Sequence, residues 1–234
     1  VTLPGADQVR LQLDQKFHLK NPTSSELGAS IVGTSILMID EMGYEAFTFR
    51  KLADRIGTTE ASVYRYFKNK HRLLVYLIAW YWSWMECRLM LATNTEVDPR
   101  ERLRLALQEL TRPITPDDLI PHVNEAALYR VVVAESSKAY LHRDVTGENR
   151  DGLFLGYKRL CRVVADIIRV VSPTYAYPVA LVSTVVESSH LQRYFAEHLP
   201  RLTDVDPART DGSTAEFLTE LVFRTIAAGD VRRD

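Results

Sequence analysis

The chain has few cysteines, few glycines and no long hydrophobic run, and each shortage removes a class of protein. Cys87 and Cys161 are the only cysteines in 234 residues, too few and too far apart for a disulfide framework. Both fall in apolar helical patterns, which suits reduced thiols in a cytoplasmic protein. The longest apolar stretch runs from Leu73 to Met85, broken by Ser83, and continues into Glu86 and Arg88. A membrane span needs roughly 18 residues, so a buried helix is expected here, and no secretion signal is expected either. None of the glycines lies in a phosphate-cradling loop or a Gly-x-Ser-x-Gly elbow. The histidines, His18, His71, His122, His142, His190 and His198, form neither a HExxH nor a Cys/His cluster with metal spacing. Glu187 and His190 stand three apart, but a di-iron site needs two such pairs and more glutamates. Ser188-Ser189-His190 is adjacency in sequence and not a triad. No catalytic residue, metal or cofactor is expected, and the chain reads as something other than an enzyme.

Net charge is also scarce, at −1, so a uniformly basic nucleic-acid binder is excluded. The charge is unevenly placed, however. Between residues 48 and 72 stand Arg50, Lys51, Arg55, Arg65, Lys68, Lys70 and Arg72 against only Asp54 and Glu60. That segment carries +5 and the remaining residues −6. Attraction to phosphate is thereby confined to one part of the molecule.

What is present in quantity is helix pattern. Residues 1–23 form a polar leader, broken at Asn21-Pro22, which reads as a partly ordered tail or else as an arm touching DNA or a strap on the first helix. About nine helices follow, with no strand pattern. Ser25 caps a helix to about Met42, ended by Gly43. Thr48 caps Phe49–Ile56, with Phe47 and Leu52 as a hydrophobic staple, and Gly57 closes it. Thr59 caps a helix from Glu60 to about Phe67. Asn69 caps one through the aromatic stretch to about Ala92. The later helices are expected at 98–111, 124–142, 153–171, 177–198 and 213–228, separated by proline loops at 113–121 and 199–212 and a break at 149–152.

Two short helices joined by a tight, glycine-containing turn form a helix-turn-helix. Ala53 and Gly57 are the small residues at the crossing, and Leu52, Ile56 and Val63 are expected between the helices. Glu60, Ala61, Ser62, Tyr64 and Arg65 are left at the N-terminal end or outer face of the third helix, which in such modules enters the major groove.

The run FTFRKLADRIGTTEASVYRYFKNKHRLL resembles the DNA-binding domain of the TetR family of bacterial transcriptional regulators. The likeness extends from about Leu27 to Leu74, and the Tyr-x-Tyr-Phe-x-Asn-Lys-x-x-Leu string is its most specific part. The resemblance implies DNA contacts at Thr48, Arg50, Thr59, Glu60, Ala61, Ser62, Tyr64, Arg65 and Lys70. Tyr64 would donate to a phosphate, and Lys70 would bind one at the first turn of the fourth helix. Tyr66 and Phe67 would hold the third helix against the fourth. Glu60 stands where the family commonly has a basic or neutral polar residue. It would either accept from cytosine N4 or serve the positive end of the helix.

The expected architecture is therefore all-α. Residues 24–72 would form a three-helix DNA-binding domain, and 73–234 a larger helical regulatory and dimerisation domain. Trp80, Tyr81, Trp84 and Met85, with Tyr129, Phe154 and Tyr157 from other helices, would line an effector pocket or simply fill the core. Val182, Val185, Val186, Phe217 and Leu221 are candidates for a homodimer face, the alternative again being core. Two recognition helices related by a twofold axis would imply a palindromic operator. The reading is a repressor released from double-stranded DNA by a small-molecule effector. The alternatives are an effector-independent DNA binder, or a helical binding protein or enzyme with a vestigial helix-turn-helix.

Overall fold

The structure is a computed structural model that describes residues 17–114, 122–141, 143–206 and 212–231. Leader residues 1–16, the middle of the first proline loop, His142 and part of the 199–212 linker lie outside the described residues. Among those described there are ten α-helices and no strand, so the fold is all-α. The helices are α1 (Glu26–Ala46), α2 (Phe49–Ile56), α3 (Glu60–Tyr64), α4 (Lys70–Thr93), α5 (Pro99–Thr111), α6 (Glu125–Tyr140), α7 (Val145–Arg150), α8 (Leu155–Val171), α9 (Pro178–His198) and α10 (Ser213–Val231). No described helix is long and apolar enough to cross a membrane. No group of three or more metal-ligating side chains occurs among the described residues.

Short polar side chains set most helix starts, because each satisfies a backbone N–H that has no partner within its helix. Ser25 accepts from Gly28 N, Thr48 from Lys51 N, Thr59 from Ser62 N, Asn69 from Arg72 N, Asp98 from Glu101 N and Asn124 from Ala127 N. Gly57 ends α2 in the left-handed region at φ 69°. Gly43, at φ 76° and ψ 157°, interrupts α1 where the sequence places its end, although three further residues belong to the helix span.

Two boundaries differ from expectation. Helix α3 stops at Tyr64 rather than Phe67. Residues 65–67 turn tightly, with the N–H groups of Tyr66 and Phe67 both donating to Val63 O, and both side chains are buried. Helix α7 falls largely where no helix is expected. Its Glu148 is buried beside His71 and Arg72 of α4, with His71 Nε2 at 3.0 Å, so tertiary contact holds a segment of weak intrinsic preference.

The chain forms two compact units. The first runs to Trp84 and resumes from Ile114 to Gly156; the second takes Met85–Pro113 and the chain from Tyr157 onward. In the first, α1 packs along α6 and against α2, and α2 packs on α3. Ile31, Ile36, Phe47, Leu52, Val63 and Phe67 are wholly buried there, as are Leu73, Leu74 and Leu77 of α4. The turn before α6 approaches α1 closely enough that a Cβ on Gly33 would lie 2.2 Å from the carbonyl oxygen of His122. In the second unit α5, α9 and α10 pack on one another. Glu109 is buried there between Arg88 at 2.6 Å and Arg112 at 3.0 Å, two cations that offset its lost hydration.

Candidate nucleic-acid interface

The helix-turn-helix is built around Val63, Leu52 and Ala53, all nearly or fully buried. Ile56, expected beside them, is only half-buried. Phe49 meets Phe47 and Tyr64 edge-on, with ring centroids 6.3 and 5.0 Å apart. These contacts turn one face of α2 and α3 inward and leave the other in solvent. Thr48, Arg50, Thr59, Glu60, Ala61, Tyr64 and Arg65 are exposed, and Ser62 is half-exposed. Eight of the nine residues expected at DNA are thus open or half-open to solvent. The Ser62 hydroxyl lies 2.9 Å from that of Thr59, so it is already engaged within the turn.

Lys70 is placed differently from the other eight. Its ammonium turns back toward the end of α1, donating to Tyr44 O at 3.2 Å and Glu45 O at 3.4 Å and lying 4.5 Å above the Tyr44 ring. A cation at those carbonyls is favoured by the negative end of a helix. Lys51 does the same at Ala46 O, at 2.8 Å.

The aromatic pair after α3 divides its work. Phe67 packs edge-on against Tyr76 of α4 at 5.2 Å. Tyr66 instead holds the leader: its carbonyl accepts from Leu19 N at 2.8 Å and its ring lies under Lys20 at 5.1 Å. Its hydroxyl meets Ser25 Oγ at 2.8 Å. That hydrogen bond, helped by Lys20, keeps the phenol below its ordinary pKa. Residues 17–25 are therefore a strap on the module. Neither Lys20 nor Ser25 could be assigned to Tyr66 from spacing alone, since each lies more than 40 positions away.

The aromatic stretch of α4 is buried throughout. Trp80 and Trp84 stack at 6.3 Å, as four-residue spacing on a helix allows. Tyr81 lies near Tyr129, at 6.3 Å, and Trp82 Nε1 donates to the Tyr140 hydroxyl at 2.5 Å. Phe154 packs edge-on against Tyr140 at 5.4 Å. Met85 and Tyr157, expected at the same pocket, belong to the second unit. There Met85 is buried, and the Tyr157 hydroxyl donates to Glu187 at 3.1 Å. Burial pushes the Cys161 thiol up to about 11, which makes it a packing group and a poor nucleophile.

Residues 33–77 match the model of a family described as bacterial regulatory proteins, tetR family. The helix-turn-helix module is thus similar to that of the tetR family. The HTH-type transcriptional repressor KstR of Rhodococcus jostii (strain RHA1) is 27% identical over 136 residues, 58% of this chain and 61% of that protein. The chain thus spans less than two thirds of that curated relative. Among solved structures, the ketosteroid transcriptional regulator KstR2 of Mycobacterium tuberculosis superposes with a TM-score of 0.52 at 16% identity, covering 88% of this chain and 95% of that one. A transcriptional regulator from Saccharomonospora viridis, solved with choline, gives a TM-score of 0.58 at 19% identity, covering 83% and 94%. Both likenesses are of fold, and both extend well beyond the N-terminal module.

Proposed function

We propose that the protein is a homodimeric repressor that binds a palindromic operator through α2 and α3 and leaves it when a small molecule occupies the helical body. The observation that carries this is the exposure of Arg50, Glu60, Ala61, Tyr64 and Arg65 on a module that buries Phe49, Leu52, Ala53 and Val63. An exposed helix face of that size on a basic segment is the element that major-groove readers insert. Residues 24–72 serve as the DNA-binding domain and 73–234 as the regulatory and dimerisation domain. Thr48, Arg50 and Tyr64 position the module on phosphates, while Ala61 and Glu60 are nearest the base edges. Lys70 reaches a phosphate only by exchanging its carbonyl partners for it. The protein acts in the cytoplasm and performs no chemistry.

The effector reading draws support from the choline complex of the relative from Saccharomonospora viridis and from the concentration of aromatics on α4. An effector that prefers one conformer shifts the population by its differential affinity and no more. The dimer reading rests on exposed apolar residues of α9 and α10. Val179, Leu191 and Tyr194 on α9, and Phe217 and Leu221 on α10, are 36–51% exposed. Val182, Val185 and Val186, also expected at that face, are at most 2% exposed and pack inside the chain instead.

The test begins with selection of a binding duplex from random-sequence DNA. An inverted-repeat consensus is expected, with a stoichiometry of two chains per duplex. A metabolite panel screened by thermal shift then identifies ligands, which are added to the gel-shift reaction. Failure to enrich any sequence would refute the operator reading. A bound ligand that leaves operator affinity unchanged would refute the release mechanism.

A further inference from the structure

We infer that Glu135, on α6, is a positioning residue of the DNA interface, acting through the backbone of Tyr44 at the end of α1. The inference rests on the reading that residues 48–70 meet DNA.

The cause lies in Gly43. Its φ of 76° and ψ of 157° break the α-helical ladder, so the next N–H, that of Tyr44, needs a partner from outside the helix. Tyr44 is buried, and an unpaired donor there costs free energy comparable to a lost hydrogen bond. Glu135 Oε1 accepts that N–H at 3.1 Å across 91 positions of sequence. Glu135 is itself only 7% exposed. A buried carboxylate is costly unless it is paired, and its second oxygen lies 2.7 Å from Lys138 Nζ.

The same short segment meets both flanking helices. Lys138 Nζ reaches the Glu45 carboxylate at 3.0 Å and the Tyr44 ring at 5.3 Å. Lys70, at the first turn of α4, takes the carbonyls of Tyr44 and Glu45 and lies over the same ring. The Tyr44 ring is therefore flanked by one ammonium from α6 and one from α4. Its phenol is pushed up to about 12 by burial and then by the charge of Glu45, so it stays neutral between them. Four residues after Tyr44, Thr48 caps α2, and Arg50 follows in the first turn. The Glu135 carboxylate thus fixes the point from which the chain departs into α2. It also fixes the carbonyls that hold the Lys70 side chain. Displacement of α6 relative to α1 would reach the chain before Arg50, and the carbonyls that hold Lys70, through this acceptor together with Lys138.

The test uses the full chain and a duplex selected from random DNA with the wild-type protein. Arg50→Ala is the control for the DNA reading; if it binds like wild type, or no duplex is enriched, that reading fails and this inference falls with it. With the control behaving as expected, Glu135→Ala should weaken operator binding by about tenfold, the size of effect of orphaning one buried donor. Glu135→Gln keeps an acceptor oxygen for Tyr44 N–H and should stay within about threefold of wild type on the same reasoning. Lys138→Met, which leaves the acceptor in place, should do likewise. Wild-type affinity in Glu135→Ala, or equal losses in Glu135→Ala and Glu135→Gln, would overturn the positioning role while leaving the DNA reading intact. Should Glu135→Ala fail to fold, hydrogen exchange at the Tyr44 amide of the wild-type protein decides. Exchange as slow as in the buried turns of α1 is expected, and exchange as fast as in an open turn overturns the inference.

Discussion

The hydroxyl groups of Tyr66 and Ser25 lie 2.8 Å apart, joining the turn after α3 to the residue that caps α1. Ser25 also accepts from Gly28 N, so one side chain serves both the helix end and the tertiary contact. Tyr66→Phe removes the hydroxyl and keeps the ring under Lys20. The expected loss is about 1 kcal/mol for one part-buried hydrogen bond, a fall in Tm of roughly 2–4 °C for a chain of this size. Thermal unfolding followed by circular dichroism measures it. An unchanged Tm would mean that the hydroxyl pair contributes nothing net.

Arg50 and Tyr64 are both exposed on the module but differ in charge. Release of counterions follows charge, so Arg50→Ala should lower operator affinity and flatten the slope of log K against log salt by about one unit. Tyr64→Phe should weaken binding while leaving that slope unchanged, because a neutral donor displaces no cation. Equal slopes in all three proteins would remove Arg50 from the phosphate contacts.

Gly33→Ala sets a methyl group 2.2 Å from the carbonyl oxygen of His122. The obstacle is backbone, so α1 and the turn before α6 must separate, and overpacking of this kind costs roughly 1–3 kcal/mol. The midpoint of urea unfolding should fall accordingly. A variant as stable as wild type would show that the turn before α6 yields freely.

His190 is 6% exposed on α9. Its pKa is pushed down to about 4 from 6.5, first by burial and then by the charge of Arg193. The unfolded chain takes up this proton as pH falls below about 6.5, and the folded chain resists until about 4. Stability is therefore undiminished above pH 6.5 and is lost between 6.5 and 4, by roughly 3 kcal/mol in all. Urea unfolding at pH 7, 5.5 and 4.5 should show a steeper decline in wild type than in His190→Gln. Parallel declines would assign the pH dependence to other groups.

Features that depend on neighbours along the chain are legible in the sequence. The caps at Thr48, Thr59, Asn69, Asp98 and Asn124 each act within three residues, and Gly57 acts through its own φ. Long-range partners are not legible there. Glu135 finds Tyr44 N from 91 positions away, and His71 finds Glu148 from 77. Helix α7 owes its existence to that second contact, so its own composition gives little sign of it. On α9 and α10 apolar residues occupy more than one face. Hydrophobicity alone cannot tell Val185, fully buried, from Leu191, 51% exposed. Lys70 is a further case: the motif marks it as a phosphate ligand, while the fold offers its ammonium the carbonyls of α1.

All three tryptophans of the chain, Trp80, Trp82 and Trp84, stand on two successive turns of α4, within about 6 Å along its axis. Each is at most 4% exposed. The intrinsic emission of this protein is therefore a reading from one place, the middle of the helix that Lys70 begins. It should be blue-shifted and poorly quenched by iodide. With no other indole among the 234 residues to dilute it, any spectral change on adding DNA or a metabolite reports on that single stretch, and no label need be introduced.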